Sequence, residues 1–578
     1  MTVPSDKVKS VKQGNCLTDF LYICPSIMYR NRMKLYGITL FLFFCITLSA
    51  QNTHLQYRFR VYLKDKGNTV FPLSEPEKFL TPKAIERKKQ QQVKIDQSDL
   101  PISPDYFNQL KNAGGKPVSY SKWFKTIVIQ LRDSSQINAI LQLPFVDSAR
   151  YVWRGIERNY RNPVRPRLGW PDCPEESGEE NGFGLTEKQF ALHNAQQMVL
   201  SGFTGKGINV AVIDAGFTNA DVIPQFGDVN LAGFRSFVPE GDIFASSDHG
   251  TKVFSTMAAN LPGVMVGSAP SATYYLLRSE DVVSEFPVEE DYWVRAVEYA
   301  DSIGIDLINS SLGYTAFDDT TLNYKPESLD GKTSFMTLAA NRAYEKGMIL
   351  VTSAGNEGNK PWQKISAPGD AQHALTVGAV GTDSLIASFS SKGFTADNRL
   401  KPDIVSAGKN TVTISYNGLL DFTNGTSLSS PFVAGLVASL WSVNPSMNRA
   451  EVLDIVKRSS DRYNRPDSVY GYGIPDFRKA VRVVLSKLET HEKLVAEDCF
   501  SISRTAKNSF EITITEPDFS FDAYTVNVLD ESGNLIAKHE FENEKLIVPV
   551  QQEVKKANQF IHFVFKSPFT QKTVRFKL

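Results

Sequence analysis

The sequence is poor in the residues that build covalent frameworks and metal centres, with five cysteines and seven histidines among 578 residues. Cysteine at that density excludes a disulfide-stapled scaffold, and no metal-ligating set is read from the histidines. Net charge is also missing: 63 Lys and Arg balance 63 Asp and Glu, which gives no signal for nucleic acid or an acidic ligand. There is no internal repeat. One long apolar run stands out, "LYGITLFLFFCITLSAQ", which follows Met33 and Lys34 and ends in the small residues Ser49 and Ala50. A basic start and an apolar core of about a dozen residues make it a secretory signal peptide, too short for a comfortable membrane span. The residues before Met33 form neither an n-region nor a domain, so the natural start is expected at Met33. Phe43 and Phe44 before Cys45 argue against lipoprotein processing. Cleavage after Ala50 leaves Cys173 and Cys499, as one disulfide or two thiols.

A chain of 64 kDa exceeds one hydrophobic core and calls for several modules. After the 1–50 leader, "LQYRFRVYL" (55–63) puts apolar residues at odd positions and mostly Gln or Arg at even ones, the pattern of a half-buried strand. Thr81-Pro82 and Ser103-Pro104 are N-cap and first-turn pairs that open helices, the second closed by Gly114. With the strand-like "TIVIQL" and "VDSARYVW" around a helical "SSQINAILQL", residues 51–156 form a small α+β domain. Residues 157–184, rich in Pro, Gly, Arg and Glu, are an exposed linker. Between 185 and 488, apolar runs such as "INVAVID", "IDLINSSLG", "MILVTSAGN" and "ALTVGAV" alternate with amphipathic segments stopped by Gly, which predicts a three-layer α/β domain with a mostly parallel sheet. Residues 489–578 carry short strand patterns of a C-terminal β-sandwich.

In such a sheet, functional groups gather at the C-terminal ends of strands. Asp214 ends "INVAVID". His249, beside Asp248 and Gly250, precedes the four-residue spacing of Val253, Met257 and Leu261, which places it in the first turn of a helix. The positive end of that helix disfavours the imidazolium and so favours a neutral base. Asn356 in "VTSAGNEG" offers a side-chain amide at another strand end. In "NGTSLSSP" a serine could be a nucleophile if a base, an orienting group and oxyanion donors converge on it. Each signal alone is weak, but Asp214, His249 and Ser427 run in the order Asp, His, Ser used by one known triad solution.

Six ordered segments carry a resemblance over about 300 residues: "GKGINVAVIDAGF", "DHGTKVFSTMAAN", "INSSLG", "SAGNEG", "FSSKGFTADNRLKPDIVSAG" and "NGTSLSSPFVAG". They resemble the motifs of the subtilisin-like serine peptidases. The resemblance implies Ser427 as nucleophile, since it follows Gly-Thr and precedes Pro by four positions, with Ser429 and Ser430 as bystanders. It implies His249 as general base and acid, Asp214 as the group fixing its tautomer, and Asn356 with the Ser427 N–H as oxyanion donors. Ser310, Ser311, Leu312 and Gly313 are implied to bind an extended peptide by strand addition, with Ala354 and Gly355 lining the pocket before the scissile bond and Ser366 near its floor. Small residues there would admit a large apolar or aromatic side chain. Three departures bear on local packing: Lys252 stands where a second His is usual, Ala215 and Phe217 follow the Asp, and Leu428-Ser429 replaces Met-Ala.

The family further implies an inhibitory propeptide at 51–156, self-cleavage between Glu157 and Lys188, and peptide or protein substrates. It implies no required cofactor, although structural calcium is common within it. The C-terminal strands resemble a type IX secretion sorting domain, which would bring secretion machinery or a cell surface as a partner; an exported monomer is expected. An inactive subtilisin-fold binding protein would lack a triad member. An α/β-hydrolase needs G-x-S-x-G, and position 429 is Ser.

Overall fold

The structure is a computed structural model that describes residues 55–156, 165–166, 182–239, 241–492, 494–497, 499–506, 509–515, 523–550, 560–567 and 571–578. The leader, the expected start at Met33, Cys173 and most of the linker lie outside the described residues.

Four strands, β1 (Leu55–Leu63), β2 (Lys116–Ser121), β3 (Thr126–Leu131) and β4 (Val146–Ile156), form the first sheet in the order β2-β3-β1-β4. Helices α1 (Pro82–Gln90) and α2 (Pro104–Asn112) start where the caps predict: Thr81 Oγ1 accepts from Ala84 N–H at 3.2 Å and Ser103 Oγ from Asp105 N–H at 3.4 Å. One expectation is corrected. The Gln and Arg face of β1 does not meet water; Gln56, Arg58 and Arg60 are 8%, 8% and 1% exposed.

The reason lies in the second sheet. Seven strands, β5 (Asn209–Asp214), β6 (Leu231–Ser236), β7 (Thr273–Arg278), β8 (Leu307–Ser310), β9 (Ile349–Ser353), β10 (Leu375–Val380) and β11 (Ile404–Ala407), run in the order β11-β10-β9-β8-β5-β7-β6, every pair parallel. Strand alternation deals side chains to two cores. Val210 and Val212 join α3 (His249–Ala258) and α6 (Thr426–Trp441) on one face; Ala211 and Ile213 join α4 (Val288–Ile303) and α5 (Phe335–Glu345) on the other. Helix α3 stops at Ala258, so Leu261 falls on a short strand instead of the predicted helix.

The first domain packs on α4 and α5, with Trp123, Val128, Val152 and Trp153 joining the core beneath them. Charges are buried along the same seam. Arg60 grips Asp291 with two bonds of 2.7 and 2.8 Å, and Arg58 reaches the Tyr292 hydroxyl at 2.6 Å. Asp301 takes Arg87 and, at 2.8 Å, Lys88; Glu298 accepts from the N–H groups of Lys122 and Trp123, each at 2.9 Å. A buried cation or carboxylate is tolerable only when paired in this way.

The C-terminal strands form a five-stranded and a four-stranded sheet around their own apolar core. Leu529 and Val564 of this module also belong to the core of the large domain. Beyond that apolar contact, the Asn527 amide donates to the Ser201 carbonyl and the Ser201 hydroxyl to the Gly533 carbonyl, both at 2.9 Å. No described helix is long and apolar enough to cross a membrane.

Candidate active site

Asp214 ends β5 fully buried, and parallel pairing sets it level with Arg278 at the end of β7. Its Oδ1 accepts from the Ala215 N–H at 2.8 Å and lies 2.7 Å from His249 Nδ1, while Oδ2 is buried with no hydrogen-bond partner. The carboxylate therefore meets its charge chiefly through the imidazole. A carboxylate can only accept here, so Nδ1 carries the proton, and in the neutral ring Nε2 is left with a lone pair.

His249 is the first residue of α3, as predicted, but its proton affinity departs from expectation. Partial desolvation of the ring and the helix N-terminus both oppose the imidazolium. The Asp214 carboxylate, aided by Glu280 and Asp248, outweighs them and pushes the pKa from 6.5 up to about 9. The half-charge of the helix end is outweighed by a full carboxylate charge 2.7 Å away. Lys252, one turn along, pairs with Asp421 at 3.1 Å and ties α3 to the hairpin that leads into α6.

That hairpin, Thr411–Ile414 against Leu420–Thr423, turns at Asn417-Gly418 and delivers the chain to Gly425, whose φ of +154° with ψ of 149° is a region suited to glycine. Helix α6 then begins at Thr426, one residue before Ser427. Pro431 removes the N–H that would bond the Ser427 carbonyl. The carbonyl is served instead by Ser311 Oγ, which donates to it at 2.9 Å. In return Ser427 Oγ donates to the Ser311 carbonyl at 3.4 Å. Ser429 bonds the Thr426 carbonyl and Ser430 the Asn309 side chain, which accounts for both without chemistry.

Asn356 Oδ1 accepts from both the N–H and the hydroxyl of Thr426, at 2.9 and 3.0 Å. A backbone N–H can only donate, so the side-chain NH2 is forced to the other side, beside Gly425.

A cleft of about 500 Å³ brings His249, Asn356 and Ser427 together. Ser311, Leu312, Gly313, Gly355 and Ser366 also line it, whereas Ser310 and Ala354 sit behind the wall: Ser310 Oγ accepts from the Trp293 indole N–H at 2.9 Å, and Ala354 packs with Ile365. Sequence reasoning missed Glu280 and Glu285, which also line the cleft. The signal was present: "TYYLLR" is another short apolar strand, and Glu280 lies two residues past its end. Among the described residues, no group of three or more His, Cys, Asp or Glu side chains is arranged to hold a metal ion.

Residues 205–473 match the profile of the Subtilase family, and residues 58–165 that of the Peptidase S8 propeptide domain of Bacteroidota. Subtilisin E of Bacillus subtilis (strain 168) is 30% identical over 306 residues, 52% of this chain and 71% of the relative. The chain belongs to the subtilase family. This subtilase is also 30% identical to the subtilisin of Bacillus pumilus over 306 residues, 98% of that protein, and 28% identical to serine protease AprX of Bacillus subtilis (strain 168) over 322 residues, 50% of this chain and 70% of that one. The fold resembles that of the epidermin leader peptide processing serine protease (EpiP) from Staphylococcus aureus, with a TM-score of 0.52 at 17% identity, covering 75% of this chain and 99% of that structure. The subtilase is thus a serine peptidase of subtilisin type, made with a propeptide that implies a zymogen and acting on protein substrates.

Proposed function

We propose that this subtilase is an exported endopeptidase that cuts peptide bonds through an acyl-enzyme formed on Ser427. The observation that carries the reading is the 2.7 Å contact between Asp214 and His249 at the mouth of a cleft that also holds Ser427 and Asn356. Substrate entering the cleft extends along Ser311 to Gly313. The Ser427 hydroxyl leaves the Ser311 carbonyl, swings to His249 Nε2 and attacks the scissile carbonyl carbon as its proton passes to the imidazole. Asp214 holds the tautomer and stabilises the imidazolium. The oxyanion is met by the Asn356 NH2 and the Ser427 N–H. The imidazolium returns its proton to the departing amine, the C–N bond breaks, and water, activated by the same imidazole, hydrolyses the ester to release acid and free Ser427.

The domain ahead of the linker acts as inhibitor and folding assistant, since a parallel sheet rich in non-local contacts folds slowly. Its release follows self-cleavage in the segment from Glu157 to Lys188. Export rests on the leader ending at Ala50, and the C-terminal sandwich is the part offered to secretion machinery or a cell surface. The protein works as a monomer.

A fluorophosphonate probe tests the core of this reading. Labelling at Ser427 that disappears in Ser427→Ala and His249→Ala supports it. A processed protein that takes no label is instead a binding protein on a subtilase fold.

A further inference from the structure

We propose that Glu280 and Glu285 make the cleft select peptides with a lysine or arginine side chain among the residues preceding the scissile bond. This rests on the peptidase reading above and names its substrate class.

Glu280 follows Ser279, whose N–H donates to the Asp214 carbonyl at 3.1 Å, so it is held beside the Asp214–His249 pair. Glu285 is braced from the other direction: its N–H donates to Asp318 Oδ2 at 3.1 Å and its carbonyl accepts from the Asp318 N–H at 2.9 Å. Glu280, Val282 and Glu285 line the same cleft as Ser311 to Gly313 and Thr315. A peptide lying along Ser311 to Gly313 therefore shares the cleft with both carboxylates.

Neither carboxylate has a salt bridge among the described residues. The lysine that lines the cleft, Lys360, is taken by Glu357 at 2.9 Å. Tyr314, 1% exposed, lies in the field of Glu280, Glu285 and Glu289, with its hydroxyl turned toward Glu280. Burial, then mutual repulsion and the nearby Asp214, push Glu280 up to about 8; burial and Asp318 push Glu285 up to about 7. Apart from the His249 imidazole near Glu280, the two carboxylates have no cationic partner among the described residues, so a cationic side chain entering the cleft would relieve their mutual repulsion. Val282, half exposed between them, gives the methylene stem of a long basic side chain an apolar surface to lie on. Gly355 and Ser366 line the same cleft and remain the expected place for an apolar side chain.

The test compares fluorogenic peptides that carry lysine, arginine, norleucine or glutamine at each of three positions before the scissile bond. At pH 9 the ratio of kcat/KM for lysine over norleucine should reach about 10-fold or more at one position. It should fall toward unity at pH 6 as Glu280 and Glu285 protonate; the titration of His249 cancels in the ratio. The Glu280→Gln, Glu285→Gln double variant should lose the preference at pH 9. Equal rates for lysine and norleucine in the wild type overturn the proposal, as does a preference that survives in the double variant. If that variant fails to fold, the pH dependence of the wild-type ratio decides alone. Fluorophosphonate labelling is run in parallel: labelling without cation preference overturns this proposal only, and no labelling with no cleavage overturns the peptidase reading and this proposal with it.

Discussion

Ser311 and Ser427, 116 residues apart, exchange hydrogen bonds: the Ser311 hydroxyl donates to the Ser427 carbonyl at 2.9 Å, and the Ser427 hydroxyl donates to the Ser311 carbonyl at 3.4 Å. The first bond serves a carbonyl that Pro431 leaves without its helical donor. The second parks the proposed nucleophile on the strand proposed to receive substrate.

Ser311→Ala should therefore leave a buried carbonyl unsatisfied and cost about 1–3 kcal/mol of stability. Pro431→Ala restores an N–H at the helical position, so the double variant should lose less than the sum of the two single changes. Urea unfolding of all three gives the cycle, and strictly additive losses would contradict the account.

Asn356→Ala removes the amide donor whose orientation Thr426 fixes. Turnover should drop by roughly 10²- to 10³-fold, the size of loss measured on subtilisin itself, with KM much less affected. Steady-state kinetics on one peptide suffices; a loss confined to KM would assign Asn356 to substrate binding.

The pH profile follows from His249. Below its raised pKa the imidazole is an imidazolium and cannot take the Ser427 proton. The limb of kcat/KM should thus rise with pH on an apparent pKa above the ordinary 6.5 and toward 9. Glu280→Gln removes a negative neighbour, weakens the imidazolium and should move that limb to lower pH. An unmoved limb would show that Glu280 does not reach the imidazole electrostatically.

Asp301→Asn strips the shared partner from Arg87 and Lys88, both 1% exposed, at the seam between the first domain and α4. Lys88 keeps Asp99 at 3.2 Å, but Arg87 is left a buried cation without its carboxylate, at a cost of about 3–5 kcal/mol. The measurement is thermal unfolding of the full chain on a Ser427→Ala background. A change below about 1 kcal/mol would mean that water reaches this seam in solution.

Truncation after Lys487 removes Leu529 and Val564 from the core they share with the large domain. The shortened protein should melt at lower temperature or aggregate, because apolar surface in that core becomes exposed. An unchanged melting temperature would make the sandwich a freely tethered module.

Much of the site was legible because its signals are local. Caps at Thr81 and Ser103, glycine stops and continuous apolar strands predict elements from neighbours a few residues apart, and the six motifs give Asp214, His249, Asn356 and Ser427 their order. What escaped was set by contacts across domains. The even positions of β1 read as a wet face, yet they carry the arginines that meet Asp291 and Tyr292 some 230 residues on, separations of 231 and 234.

The sequence by itself determined the family, the parallel α/β sheet and the candidate residues, since hydrophobic period and capping chemistry need no knowledge of the rest of the chain. Only tertiary structure decided which charges are buried, which donor replaces the one Pro431 lacks, how strongly the imidazole holds its proton, and which carboxylates face the cleft. Those depend on groups brought within a few ångströms by folding, where burial and Coulomb interaction are strong and sequence distance carries no information.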